Sequence, residues 1–267
     1  MFNILKNQAI LTFDIVIESS LFVKSGQDNS LNPSASDSTY IKTYRNGKYE
    51  PFIPGTSLKG VFRSRAERIL RNNGACDIVN RKVCLDDKTA DKEKLNGKER
   101  YQKSCPVCKL FGSMALKSRI SFSDAYVNGS YKVNNRTCVG IDRITGASKT
   151  GALYNIEYVE DGIFEEKITI ENFEPWHIKL IMHLIEDMNE GFLTLGSLSS
   201  KGFGKVRAEN LTLTLKYYGQ DLTTRDYINN GLYSEKTLNG YDEILEALKK
   251  VNFNNARKDG DIDEKAI

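Results

Sequence analysis

No apolar run in the 267-residue sequence approaches the roughly 18 residues that a membrane-spanning helix needs. There are only two histidines, His177 and His183. They are six residues apart on one expected helix, so they face different ways and cannot share a metal, and no serine or cysteine stands beside either in a nucleophile-elbow context. Both read as partly exposed helix residues, which excludes histidine-based acid–base catalysis. A strong charge imbalance is missing too, with 38 basic against 35 acidic residues. The hydrophobic share of 40% and the aromatic share of 10% are too high for a disordered chain. The opening Met1–Gln8 has no basic region leading into an apolar stretch, so no secretory signal is read there and a soluble, cytoplasmic protein without membrane contact is expected.

The charge is unevenly placed. From Asp221 onward there are 7 basic and 10 acidic residues, whereas residues 1–220 hold 31 basic and 25 acidic ones. A moderately basic body with an acidic tail suits a polyanionic partner without requiring one.

Period-two patterning predicts a strand over Asn7–Val23, where Leu11, Phe13, Ile15 and Ile17 mark the buried face. A polar, aperiodic loop follows over Lys24–Tyr40. The turn at Pro54-Gly55 leads into a helix capped by Thr56 or Ser57, with Leu58, Val61, Phe62, Ala66, Ile69 and Leu70 on one stripe. Cys76–Ser104 is lysine-rich and reads as an insertion outside the core. Strands are expected at Arg119–Val127 and Phe164–Phe173, separated by a Gly/Thr/Ser-rich excursion over Arg136–Gly162. Pro175–Asn189 has helical spacing, and Gly204–Leu215 is the last clear strand before a less regular end with one short helix near Tyr241–Val251. Strand, helix, strand, strand, helix, strand is the α+β order of ferredoxin-like and RNA-recognition folds. The expected organisation is one such domain over residues 1–219, with insertions at 74–118 and 136–162, and an acidic extension over 220–267.

Four of the five cysteines, Cys76, Cys84, Cys105 and Cys108, fall in the first insertion. The C-P-V-C spacing of the last pair lets both thiolates reach one tetrahedral zinc, and four thiolates make a closed, structural site. The competing reading is a redox C-x-x-C pair with two incidental cysteines; Cys138 reads as merely buried. The Gly-rich run from Gly196 to Val206 follows a helix and precedes a strand, the reverse of what a dinucleotide or P-loop site requires. Either its backbone N–H groups cradle phosphates together with Lys201 and Lys205, or it is a tight turn into the sheet.

Several motifs together resemble the RAMP superfamily, and within it the backbone subunit of type III CRISPR effector complexes. They are Pro54-Gly55-Thr56-Ser57-Leu58-Lys59-Gly60 with Phe62-Arg63, Cys105-Pro106-Val107-Cys108-Lys109-Leu110-Phe111-Gly112-Ser113, Arg119–Ala125, Ile141-Asp142-Arg143-Ile144-Thr145-Gly146 with Glu157-Tyr158-Val159, and Gly202-Phe203-Gly204-Lys205-Val206. They span about Asn7 to Tyr218 in the family's order. The resemblance implies a subunit that polymerises along a CRISPR guide RNA, beside copies of itself or related backbone subunits and other type III subunits, and that presents the guide to target RNA. It places Ser57, Lys59, Arg63, Arg143, Lys201 and Lys205 along the guide. The phosphate preference of a helix N-terminus agrees with that placement. It makes the 136–162 excursion a thumb hairpin that wedges between base pairs, with Ile144 and Leu153 as the apolar wedge. It also implies that an aspartate after the first strand, Asp37 or, as second choice, Asp28, cuts target RNA with a divalent metal, magnesium or manganese. Two other readings compete: a non-catalytic scaffold of the same complex, and a processing endonuclease, which would often carry a histidine on or near the first helix.

Overall fold

The computed structural model describes residues 3–26, 36–77, 79–80, 82–220, 222, 226–256 and 267. Its central strand is β1 (Asn7–Ile17), whose side chains alternate strictly between buried and half-buried. β1 stops at Ile17, short of the expected Val23, because the next two residues leave the ladder: the N–H groups of Glu18 and Ser19 both donate to Lys205 O at 3.0 Å, and Leu21 pairs with Val159 instead. On either side β1 is flanked antiparallel by β6 (Ser148–Glu171) and β7 (Val206–Tyr218). The remaining described strands are β2 (Lys42–Arg45), β3 (Lys48–Ile53), β4 (Ile120–Phe122), β5 (Ala125–Ile141), β8 (Ile228–Asn229) and β9 (Tyr233–Asn239). They join one sheet in the order β2-β3-β5-β6-β1-β7-β9-β8, with β4 also on β6. The helices are α1 (Gly55–Ile69), α2 (Asp87–Lys92), α3 (Gly97–Lys103), α4 (Pro106–Phe111), α5 (Pro175–Asn189) and α6 (Tyr241–Leu248).

Stripped of its additions, the chain runs β1, α1, β4/β5, β6, α5, β7, with spatial order β5-β6-β1-β7. This is the expected ferredoxin-like α+β arrangement. α1 and α5 bury Leu58, Phe62, Trp176, Leu180, Ile181, Leu184 and Ile185 against the face of β1 that carries Leu11, Phe13 and Ile15. The opposite face of the sheet presents Ile10, Thr12, Thr169, Thr212 and Thr214 in cross-strand register. Beyond Tyr218, β9 pairs with β7, and Ile244 and Leu248 of α6 enter the same core.

Two expectations are corrected. The strands expected at 119–127 and 164–173 and the excursion between them are largely one hairpin: β5 and β6 pair from Tyr126↔Glu165 out to Ile141↔Ser148, with register shifts between Asn128 and Val133 and between Val139 and Ile141. Beyond the core β5 is exposed or half-buried on both faces and shows no hydrophobic period, and on β6 only Tyr154, Ile156 and Tyr158 keep one. The cysteine-bearing segment, in turn, lies partly inside the core. Every residue of α4 is buried, and Cys76, Cys105, Val107, Leu110 and Phe111 belong to the main apolar cluster. Helices of six and seven residues are too short to show a period in sequence.

His177 is also corrected, being fully buried rather than partly exposed, whereas His183 is exposed and meets Glu186 at 3.3 Å. His177 Nδ1 accepts the N–H of Glu174 at 3.0 Å, which leaves Nε2 to face the Tyr101 hydroxyl at 3.2 Å. That hydroxyl donates to Glu174 Oε1, Trp176 Nε1 donates to Glu174 Oε2 at 3.2 Å, and Arg119 lies 3.6 Å from the same carboxylate. Burial, reinforced by the Arg119 charge, holds the imidazole well below its ordinary pKa and therefore neutral. The network ties α3 to the start of α5 and fixes the cysteine-bearing segment to the sheet.

Glu166 lies on β6 between the buried Phe164 and Ile168 and is itself buried. Its carboxyl is pushed up to about 9, chiefly by burial; the N–H of Lys167 offsets part of this and the Asp124 carboxylate adds to it. A carboxyl raised in the folded state keeps its proton while the unfolded chain releases one. Its stabilising contribution is therefore complete below the unfolded value and is lost as pH rises toward 9. Glu166→Gln is accordingly expected to gain stability relative to the parent between pH 5 and pH 8, by no more than about 4 kcal/mol, in urea unfolding at the two pH values.

Candidate nucleic-acid interface and metal centre

Three loops meet at the root of the β5–β6 hairpin: residues 18–25, residues 36–41 and the Gly-rich run after α5. The run is held by backbone bonds, Ser197 N–H to Phe22 O at 2.8 Å and Gly204 N–H to Ser20 O at 2.9 Å. Both of its anchoring glycines have positive φ. A Cβ at Gly196 would stand 2.5 Å from Phe22 O, and one at Gly204 would stand 2.1 Å from Leu195 O. The run makes a tight turn in which the N–H groups of Ser197 and Gly204 are spent on the neighbouring loop. What the turn presents outward is Lys201 and Lys205, both exposed.

Beneath them Phe22, Ile156, Tyr158 and Phe203 form a small buried cluster, with the Tyr158 and Phe203 rings edge to face at 5.3 Å. The Arg136 guanidinium lies 4.7 Å from the Phe203 ring and 5.3 Å from Tyr158, and Lys201 Nζ donates to the Tyr154 hydroxyl at 3.2 Å. Cys138 packs at the margin, half-buried. Sequence reading singled out Lys201 but neither Arg136 nor the aromatic floor. The alternation of Tyr154, Ile156 and Tyr158 along β6 was the available signal.

Farther out, the hairpin bares apolar side chains. Ile144 at the turn is 95% exposed, and the register partners Val139 and Leu153 are exposed below it. The turn itself is ordered by Asp142, whose Oδ1 accepts the N–H groups of Ile144 and Thr145 at 2.9 Å each. These bonds, Thr145's first, hold its carboxyl below the usual range. Arg143 is exposed beside them.

Asp37 sits at the root of the same hairpin. Its Oδ2 accepts the N–H of Asn155 at 2.7 Å, and Ser38 and Tyr40 continue along β6 through bonds to Asn155 O and Glu157 O at 3.2 and 3.1 Å. The carboxylate is exposed and Oδ1 takes no part in that bond. Asp28 lies outside the described residues.

The α1 residues are placed differently. Neither Thr56 nor Ser57 caps the helix. Pro54 is the cap residue, and the Gly55 N–H donates to Asp124 Oδ1 at 2.8 Å, so a carboxylate from the β4–β5 loop already occupies the anion position. The Ser57 N–H is bonded to Pro54 O at 2.9 Å. Lys59 Nζ donates to Ser118 Oγ at 2.9 Å, and its pKa is lowered by burial and by the nearby Arg63 charge. Arg63 donates to Glu67 at 2.9 Å, to Gly112 O at 3.1 Å and to Cys108 Sγ at 3.8 Å. Lys59 and Arg63 thus pack against the cysteine-bearing segment.

The four cysteines converge, with all four Sγ atoms within 4.8 Å of one another. Cys76 Sγ lies 3.6 Å from Cys105 Sγ and 3.8 Å from Cys108 Sγ. A tetrahedron with Zn–S bonds of 2.3 Å has S–S edges of about 3.8 Å, so these residues can hold a metal such as zinc in a closed site. Two backbone N–H groups support the sulfurs, Cys84 N to Cys76 Sγ at 3.2 Å and Cys108 N to Cys105 Sγ at 3.5 Å. Hydrogen bonds among the thiols shift them in opposite directions, Cys84 and Cys105 downward and Cys76 and Cys108 upward, as expected where four sulfurs share one point.

Because α4 is core, loss of the metal reaches further than the insertion. Cys105→Ser with Cys108→Ser is expected to remove about one bound zinc per chain in elemental analysis and to lower the melting temperature of the whole domain in a single transition. A metal-free chain with unchanged melting in the presence of a chelator contradicts this.

No curated protein matches the sequence. Among the described residues no helix is long and apolar enough to cross a membrane. Comparison with protein-family models matches residues 14–207 to the RAMP superfamily. The match starts in β1, ends in β7 and takes in the hairpin, the cysteine cluster and the Gly-rich turn. With well over half its length so matched, the chain belongs to the RAMP superfamily, whose members bind CRISPR RNA within multi-subunit complexes.

Proposed function

We propose that this chain is a guide-RNA-binding backbone subunit of a type III CRISPR ribonucleoprotein, and that it cuts target RNA paired to the guide. The observation that carries this reading is the bond from Asn155 to Asp37, which fixes a solvent-facing carboxylate at the root of the hairpin whose far end exposes Ile144 and Leu153. An apolar wedge that unstacks a base step and a carboxylate that meets the splayed nucleotide thus share one rigid element.

The guide path proposed here runs over Lys201, Lys205 and Arg143, with Arg136 beneath. Ser57, Lys59 and Arg63 stand at its α1 end, and their contacts within the chain give them a smaller share of RNA binding than the two exposed lysines. Cutting follows from the splayed geometry: the ribose 2′-hydroxyl gives its proton to water and its oxygen forms a bond to its own 3′-phosphorus, the bond from that phosphorus to the 5′-oxygen of the next nucleotide breaks, the leaving oxygen takes a proton from water, and a 2′,3′-cyclic phosphate remains. Asp37 would hold a divalent ion, magnesium or manganese, which when bound supplies neutralisation of the developing phosphorane charge. The carboxylate's own part is to position, since its bond to the hairpin keeps it aligned with the wedge.

Two measurements test this. Lys201→Ala and Lys205→Ala are each expected to lower the slope of log affinity against log salt by about one, to a similar degree for unrelated guides. Unchanged slopes place the guide elsewhere. In a reconstituted complex with matched target RNA and magnesium, Asp37→Ala is expected to abolish guide-directed cuts while guide and target binding persist, and chelation is expected to do the same. Parental cutting by Asp37→Ala removes Asp37 from the mechanism. A wild-type complex that binds target without cutting it leaves the scaffold reading standing, and cuts in guide precursor instead identify a processing enzyme.

A further inference from the structure

The edge hairpin β2–β3 is used by nothing described so far. Its sequence from Lys42 to Tyr49 holds three cations, two tyrosines and no carboxylate. The turn between the strands is Asn46-Gly47, with φ of 52° and 81°, the two-residue turn whose twist matches paired strands, so the hairpin is short and stiff. Tyr44 and Tyr49 are direct cross-strand partners with ring centroids 5.2 Å apart, edge to face. They are 65% and 64% exposed, so they do not serve to fill a core.

The other face of the hairpin carries the charge. Arg45 lies over the Tyr126 ring at 4.2 Å and Lys48 over Tyr131 at 5.6 Å, while Phe52 stacks on Tyr126 at 6.0 Å. The next acid, Glu50, is buried and lies 4.0 Å from Arg45 and 3.8 Å from Lys48, so it offers no acidic surface of its own. Lys42 follows Asp37 by five residues, which places it within about 18 Å of that carboxylate.

We propose that the β2–β3 hairpin is a stacking platform for single-stranded RNA. Bases lie on the Tyr44 and Tyr49 rings, Lys42 on the same face meets the phosphates, and Arg45 and Lys48 add positive potential from the face behind. Exposed rings beside Lys42, backed by Arg45 and Lys48 and free of surface carboxylates, complement a polyanion with flat faces, whereas a protein partner would be expected to find both signs of charge. Recognition of this kind is tolerant of sequence, because every base has a π-face. The proposal takes its ligand class from the RNA-binding reading above but rests on different residues.

The test is fluorescence anisotropy of a labelled ten-nucleotide oligouridine titrated with the full chain at fixed low salt. The chains compared are wild type, Tyr44→Ala/Tyr49→Ala, Tyr44→Phe/Tyr49→Phe and Lys201→Ala/Lys205→Ala. The alanine pair at the tyrosines is expected to weaken binding by at least about fivefold, and the phenylalanine pair to stay within about twofold of wild type, because the stacking face is kept. Equal binding by the alanine pair overturns the platform. So does an alanine pair that alters sedimentation of the RNA-free chain and leaves RNA affinity unchanged, which would make the hairpin an interface between copies. If only the lysine pair weakens binding, the platform fails and the guide path stands. If only the tyrosine pair does, the platform stands and the guide path fails. A wild-type chain that binds no RNA overturns both.

Discussion

The ladder between β5 and β6 is the constraint on which the rest of the molecule depends. Near the core it aligns Val127 with Phe164, and β4 continues along β6 opposite Ile168 and Ile170. The same ladder then continues beyond the core, interrupted by irregularities between Asn128 and Val133 and between Val139 and Ile141, and carries the outer hairpin away from the inner sheet. Arg136, Tyr154, Tyr158, Asp37 and the bared Ile144 all take their positions from it. The Gly-rich turn and the 18–25 loop reach the hairpin only because β1 and β7 end beside it, joined through the bonds to Lys205 O.

Much of the inner fold was legible because it obeys a period. The alternation of Leu11, Phe13, Ile15 and Ile17 gives β1, and the spacing of Trp176, Leu180, Ile181 and Leu184 gives α5 with the bounds the structure shows. Where both faces of an element see the same surroundings, the period vanishes. Outer β5 has no buried residue and α4 is buried on all sides, so neither could be read from pattern. β9 was missed because only Ser234 and Leu238 on it are buried.

The site divides along the same line. The cysteines were legible from type and spacing, since thiolates that converge on one tetrahedral point leave a countable signature. Lys59 and Arg63 were legible as cations but not as partners of Ser118, Gly112 and Cys108, because those contacts join segments some 45 to 59 residues apart in the chain. His177 shows the reverse. Its burial depends on Tyr101 and Arg119 arriving from elsewhere, and nothing local distinguishes it from the exposed His183. The cysteine cluster and this polar network both hold the same segment, so the segment serves as a brace for α1 and α5 rather than as an appendage.

That RNA is met at the hairpin root, and not on the helix-free sheet face as in an ordinary RNA-recognition fold, is the central claim. At Ile10, Thr12, Thr212 and Thr214 that face offers hydroxyls in register, while the hairpin root offers Arg136 over Phe203 and Lys201 over Tyr154. Photo-cross-linking of the full chain to a guide RNA carrying 4-thiouridine, with the linked peptides identified by mass spectrometry, tests it most directly. The account predicts adducts in the peptides that contain Arg136, Tyr154 and Lys201. Adducts confined to Asn7–Ile17 and Val206–Tyr218 would contradict it.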